Sequence, residues 1–207
     1  MKQVVLLSSG GLDSSTIAYS LVERSVKFVP LFFDYGQHCV EKEWDTLNAV
    51  LPPNSSNPVR LDISGIFSGS TSRLISEPDL WTDHVDDRDL YVPYRTLFFF
   101  SAAAAYAQTH GMSDVYAGFI NSNHAKELDC TEAFFNGLDA LSAEVGPVRF
   151  HLPIRQWSKS DVVKEAIRLG VPIGRTYSCQ LLSDTPCGAC PNCVERLTAI
   201  DLCRQSV

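Results

Sequence analysis

The sequence predicts an α/β fold, a doubly wound parallel sheet with a small cysteine-bearing C-terminal segment. Three observations predict it. Short apolar runs alternate with amphipathic stretches along the chain, the pattern of a parallel sheet crossed by helices. The first apolar run, residues 4–7, ends in a turn of small residues, Ser8, Ser9, Gly10 and Gly11, that opens into a helical stretch. Four cysteines, Cys179, Cys187, Cys190 and Cys193, gather near the C-terminus.

Residues 4–7 read as a buried strand, and Asp13, Ser14 and Ser15 start a helix through residues 16–22. Residues 26–33 are the second strand, leading to Asp34-Tyr35-Gly36-Gln37, and residues 41–50 are a helix stopped by Pro52-Pro53. Residues 58–63 are a short third strand. The stretch 64–90 has no clean period and is rich in Ser, Gly, Asp and Pro, so a long loop over the site is expected. Residues 96–110 form an apolar, buried helix ended by Gly111. A fourth strand is expected over 114–120, a helix over 131–143 and a fifth strand over 148–152. Ser158-x-x-Asp161 is a capping-box variant opening a helix that runs to Leu169 and stops at Gly170. Ligands of such sheets sit beyond the carboxyl ends of the strands, where the segments at Ser9, Asp34, Asn121 and Pro153 should converge. The expected division is a nucleotide-binding domain over 1–175 and a cysteine segment over 176–207 packed on the same domain.

A strand, a glycine turn and a helix N-terminus together aim backbone N–H groups at an anion. The string Leu7-Ser8-Ser9-Gly10-Gly11-Leu12-Asp13-Ser14-Ser15 supplies glycines for close approach, hydroxyl donors, and a carboxylate at Asp13 to hold a cation. Adjacent glycines exclude the dinucleotide fingerprint, and the missing G-K-[ST] excludes a Walker loop. The 207-residue chain is 45% hydrophobic with net charge -7, a poor match to nucleic-acid binding. The most apolar stretch, 97–107, is too short to span a bilayer. Because the strand and loop follow Met1 at once, no cleaved leader and a cytoplasmic location are expected.

Seven cysteines in such a chain point to thiols or metal rather than disulfides. The C-x7-C-x2-C-x2-C spacing suits a closed tetrahedral structural Zn²⁺ site, with an iron–sulfur cluster as the rival. Cys39, Cys130 and Cys203 lie outside this set, and Cys39 and Cys203 read as small buried thiols.

The Ser-Gly-Gly-x-Asp-Ser-Ser string resembles the pyrophosphate (PP) loop of the N-type ATP pyrophosphatases, which have the adenine nucleotide alpha hydrolase-like fold. With Phe33-Asp34-Tyr35-Gly36-Gln37, Val92-Pro93-Tyr94-Arg95, Leu128-Asp129-Cys130, Thr176-Tyr177-Ser178-Cys179 and the distal cysteines, the chain resembles the 7-cyano-7-deazaguanine synthase family over residues 4–200. That resemblance implies an ATP-dependent ligase. The carboxylate of 7-carboxy-7-deazaguanine is adenylated, ammonia gives the amide, and a second activation dehydrates it to the nitrile. ATP, Mg²⁺ and Zn²⁺ are the implied cofactors, no nucleic acid or membrane partner is implied, and a homodimer fits the family.

The resemblance places Leu7 to Ser15, Asp34 and Tyr35 on ATP, and Asp13, Arg95 and Lys159 at the chemistry. It places Gln37, Tyr94, Arg95, Asn121, Asn123 and Asp129 on the substrate. Asp129 reads equally well as a helix N-cap ahead of Thr131. Departures from the family pattern lie at His38-Cys39, Thr96, residues 121–128 and Thr131, around the acyl pocket rather than the ATP loop or the cysteines. They leave open a second reading, a defence-type relative that joins a deazaguanine to an amine of a partner protein. A non-catalytic zinc-binding module is a third reading, which the intact loop argues against.

Overall fold

Val4, Val5 and Leu6 are consecutive, and all three are buried. A strand whose successive side chains point to opposite faces can bury such a run only with helices on both sides. In the structure, a computed structural model describing residues 3–77, 87–120, 131–181 and 185–204, this strand is central. The strands β1 (Gln3–Leu7), β2 (Lys27–Asp34), β3 (Val59–Asp62), β4 (Asp114–Tyr116) and β5 (Arg149–His151) form one sheet in the order β3-β2-β1-β4-β5. Every pairing is parallel, with Val5 level with Val29 on one side and Val115 on the other.

The helices are α1 (Leu12–Glu23), α2 (Val40–Val50), α3 (Ser64–Phe67), α4 (Arg95–Thr109), α5 (Glu132–Val145), α6 (Lys159–Leu169) and α7 (Pro191–Arg204). Val4 and Leu6 pack with Ile17 and Leu21 of α1, Val162 and Ala166 of α6, and Ala199 and Cys203 of α7. Phe32, on the same side of β2 as Phe28 of that core, meets Trp44 of α2 at 5.4 Å. On the other face Val5, Leu31 and Val115 pack against Ala103 and Ala107 of α4. Phe100 of α4 meets Phe135 of α5 edge-on. The sheet is doubly wound as expected, and the strand order reverses between β1 and β4, the switch point where such sheets form a crevice.

Three elements differ from the sequence expectation. β4 stops at Tyr116, and residues 118–120 leave the sheet to wall the crevice. A Cβ on Gly118 would lie 3.0 Å from the Ser14 amide nitrogen, so this segment presses on the first turn of α1. Part of the expected loop is ordered: α3 is followed by turns, and Phe67 and Val92 bury against Tyr35. The C-terminal segment contains α7, started by Pro191 at its first position. Thr131, not Asp129, caps α5, its side chain accepting from the Phe134 amide at 3.1 Å. Ser158 and Asp161 form the expected capping box, and Gly170 ends α6 in the left-handed region. No helix among the described residues is long and apolar enough to cross a membrane.

Gly10 has φ of +73°, and a Cβ there would lie 2.7 Å from the backbone nitrogen of Leu47 and 3.0 Å from the carbonyl of Glu43. Only glycine permits this contact between the loop and α2. Gly10→Ala should destabilise the chain by at least about 2 kcal/mol in urea unfolding. A stability equal to the parent's would mean that α2 does not bear on the loop.

Candidate active site

A cavity of about 390 Å³ opens at the carboxyl edge of β1 and β4, within the range of small-ligand sites. Leu7, Ser8, Ser9, Gly11, Leu12, Asp13 and Ser14 form one wall. Gly10 faces α2 instead, and Ser15 is buried without lining the cavity. The loop is laced by its own serines. Ser9 Oγ accepts from the Gly11 amide at 3.3 Å, and Ser14 Oγ donates to the Gly11 carbonyl at 3.3 Å. Gly11 is the N-cap of α1 and supplies no side-chain cap, so the first-turn amides and the positive end of the helix dipole meet the cavity uncapped. That donor set fits a polyphosphate.

Asp13 and Lys159 meet across the cavity from opposite ends of the chain. Lys159 Nζ donates to both Asp13 oxygens, at 2.8 and 2.9 Å, and lies 3.8 Å from Glu195 of α7. The capping box at Ser158 sets the first residue of α6, and so the place of Lys159. The three groups together are one cation between two carboxylates, all partly buried. The arrangement can trade partners: a phosphate takes the ammonium, and a divalent cation takes the carboxylates.

The opposite wall follows β2. Arg95, first residue of α4, donates to the Tyr35 hydroxyl at 3.4 Å and lies 5.4 Å from the centre of its ring. Burial pushes the Tyr35 phenol up to about 12, against the pull of Arg95. Gln37 lines the cavity, but its amide is used locally: Oε1 accepts from the Tyr35 amide at 2.9 Å, and Nε2 donates to the Phe33 carbonyl and to Glu43. Glu43, in the first turn of α2, also faces the cavity, and desolvation pushes its carboxyl up to about 7. His38 and Cys39 adjoin it. Burial lowers the imidazole pKa and raises the thiol to about 11.

Behind this wall the sulfurs of Cys179, Cys187, Cys190 and Cys193 lie within 4.8 Å of one another. A tetrahedral Zn²⁺ with four thiolates needs sulfurs about 3.8 Å apart, and those of Cys187 and Cys193 are 3.9 Å apart. Cys179 Sγ accepts from the amides of Leu181 and Cys187, and Cys187 Sγ from those of Ala189 and Cys190, contacts that favour thiolates. The donor set fits zinc. Arg196 of α7 is buried beside it, donating to the carbonyls of Ile173 and Thr176. Burial lowers its pKa. Cys39 is buried in the same cluster, and Cys203 is buried against α6, as small thiols.

The structure therefore brings together the loop, Tyr35, Gln37, Arg95 and Lys159. Asp34 does not reach the cavity wall; Arg60 holds its carboxylate at 2.6 Å, and it accepts from the Gly36 amide. Tyr94 is 73% exposed at a left-handed position and lies outside the cavity. Asn121, Asn123, Asp129 and Cys130 lie outside the described residues. Sequence reasoning missed Glu43, Glu195 and Gly118. Glu43 sits among Glu41 and Lys42 and reads as part of a solvated helix face.

Comparison with known proteins shows the family. The family described as "Queuosine biosynthesis protein QueC" matches residues 2–203. A 7-cyano-7-deazaguanine synthase of Campylobacter hominis is 32% identical, covering 95% of this chain and 93% of the relative. One from Thermoplasma volcanium is also 32% identical, covering 95% and 85%. Among solved structures, a 4-thiouridine synthetase–RNA complex with bound ATP superposes with a TM-score of 0.53 at 18% identity, over 100% of this chain and 50% of that one, a likeness of fold. With a match that runs nearly end to end and takes in both the loop and the cysteines, the chain belongs to the QueC family of queuosine biosynthesis proteins.

Proposed function

We propose that this chain is an ATP-dependent carbon–nitrogen ligase that adenylates the carboxylate of 7-carboxy-7-deazaguanine and condenses it with ammonia to give 7-cyano-7-deazaguanine. The observation that carries the reading is the match to 7-cyano-7-deazaguanine synthases over 95% of the chain. A carboxylate resists attack because its leaving group would be oxide. Adenylation replaces oxide with AMP and releases pyrophosphate. The protein's task is to hold phosphates and carboxylate in line and to cover the charge that develops.

In this reading the first-turn amides of α1 and the Ser9–Ser14 wall hold the pyrophosphate of ATP. Lys159 leaves Asp13 for a phosphate oxygen, and Arg95 covers charge on the transferring group. Mg²⁺, when bound, screens the phosphates, and Asp13 is the carboxylate placed to hold it. Gln37 acts as a brace, because its amide is already spent on Tyr35, Phe33 and Glu43. Zn²⁺ on the four cysteines is structural, since four protein thiolates leave no open position.

Incubation with ATP, Mg²⁺ and 7-carboxy-7-deazaguanine, with and without ammonium, should give the nitrile and AMP by mass spectrometry only when ammonium is present. Product formed only on adding a partner protein would favour the amine-conjugating relative, and no AMP under any condition would reject both. Asp13→Asn should lower AMP formation about 100-fold or more while leaving the melting temperature within a few degrees. Cys190→Ser should strip the metal, read by elemental analysis, and cost more than about 3 kcal/mol of stability. Full stability together with full metal content would remove the structural-zinc reading.

A further inference from the structure

Three carboxylates among the described residues line the cavity: Asp13, Glu43 and Glu195. Asp13 and Glu195 share Lys159. Among the described residues Glu43 bonds to no cation. Its side-chain partner is the neutral amide of Gln37, at 2.9 Å. It is also held next to the loop, because its backbone carbonyl lies against Gly10. The same cavity is lined by Gln180, which is 6% exposed and whose buried Oε1 has no hydrogen-bond partner, the one such side-chain atom among the described residues. This end of the cavity offers acceptor oxygens beside the guanidinium of Arg95. The Glu43 carboxylate and Gln180 Oε1 are acceptors that suit a group bringing N–H bonds.

We propose that this end of the cavity receives the nitrogen donor, ammonia, and that Glu43 takes the proton ammonia sheds as it attacks the activated acyl group. The inference rests on the ligase reading. In the step, the nitrogen lone pair forms a C–N bond to the acyl carbon. The C–O bond to AMP breaks, and its electron pair leaves with AMP. One proton passes from the attacking nitrogen to the Glu43 carboxylate, leaving the amide. Ammonium cannot attack, and a nitrogen that keeps its proton departs again more readily than AMP does, so an acceptor beside the acyl carbon speeds the forward step.

The groups facing Glu43 are Tyr35 and Gln37 after β2, Cys39 ahead of α2, Arg95 of α4, and Tyr177. Tyr35, Cys39 and Tyr177 are all held neutral at pH 7 by burial, which leaves Arg95 as the charge acting on Glu43. Desolvation places the carboxyl at about 7. A base must be deprotonated, so the ammonia-dependent step should rise as pH increases through about 7 and then level off.

The test separates the two half-reactions of the full-length chain with Glu43→Gln, which keeps the shape and the bond from Gln37. Adenylation is read by pyrophosphate exchange into ATP with the carboxylate substrate present and ammonium absent. Amide formation is read by quenched-flow mass spectrometry with ammonium chloride, at constant free ammonia across the pH series. The ratio of amidation to exchange should fall at least tenfold in Glu43→Gln, with the rise near pH 7 lost, and Glu43→Asp should restore part of both. An unchanged ratio and an unchanged pH profile in Glu43→Gln would overturn the proposal. So would equal losses in both half-reactions for Gln and Asp alike, which mark a scaffolding role. Absence of exchange in the parent chain would instead reject the ligase reading.

Discussion

The contact between Gly10 and α2, at Glu43 and Leu47, is the constraint on which the site depends. It is a backbone-to-backbone contact, and a single methyl group would break it. Because α2 lies this close, the loop is held at Gly10 while Ser9 and Gly11 on either side line the cavity. The same contact sets the depth of Glu43 and, through Gln37, the path of the chain leaving β2. Gly118 holds the other side of α1 in a similar way, so the helix N-terminus is gripped between two glycine contacts. The glycines here serve the protein's own packing as much as any ligand.

Much of the fold was legible because both sheet faces are buried. Runs such as residues 4–7 and 26–33 have no other stable place, and the small residues after them mark the turns. The capping box at Ser158 was equally readable, since its bonds are local. The fourth strand was read too long because apolar residues in a cavity wall look like strand residues. Phe119 and Ile120 are packed, but not by pairing. α7 escaped notice because Cys-x-x-Cys and proline suggest only a tight turn, although Pro191 also begins a helix well.

The site divides along the same line. The loop, Arg95 and Lys159 are legible because each sits at the end of a regular element, where such sheets gather their ligands. Asp34 sits at a strand end too, yet Arg60, 26 residues away, claims it. Glu43 has the opposite history. In the sequence it is one more charge on an amphipathic helix, and only the tertiary approach of that helix turns it inward. Which carboxylate is neutralised, which is exposed and which is left without a cation is decided by long-range partners that no spacing records.

α7 gives the molecule a property of a different kind. Its first turns carry Cys193, then Glu195 beside Lys159, then Arg196 tied to the segment that supplies Tyr177 and Cys179. The cysteine cluster and the contact with Lys159 are thus fastened to one helix, less than a turn apart. The packing of Cys193 in the cysteine cluster therefore bears on the placement of Glu195, one of the two carboxylates beside Lys159.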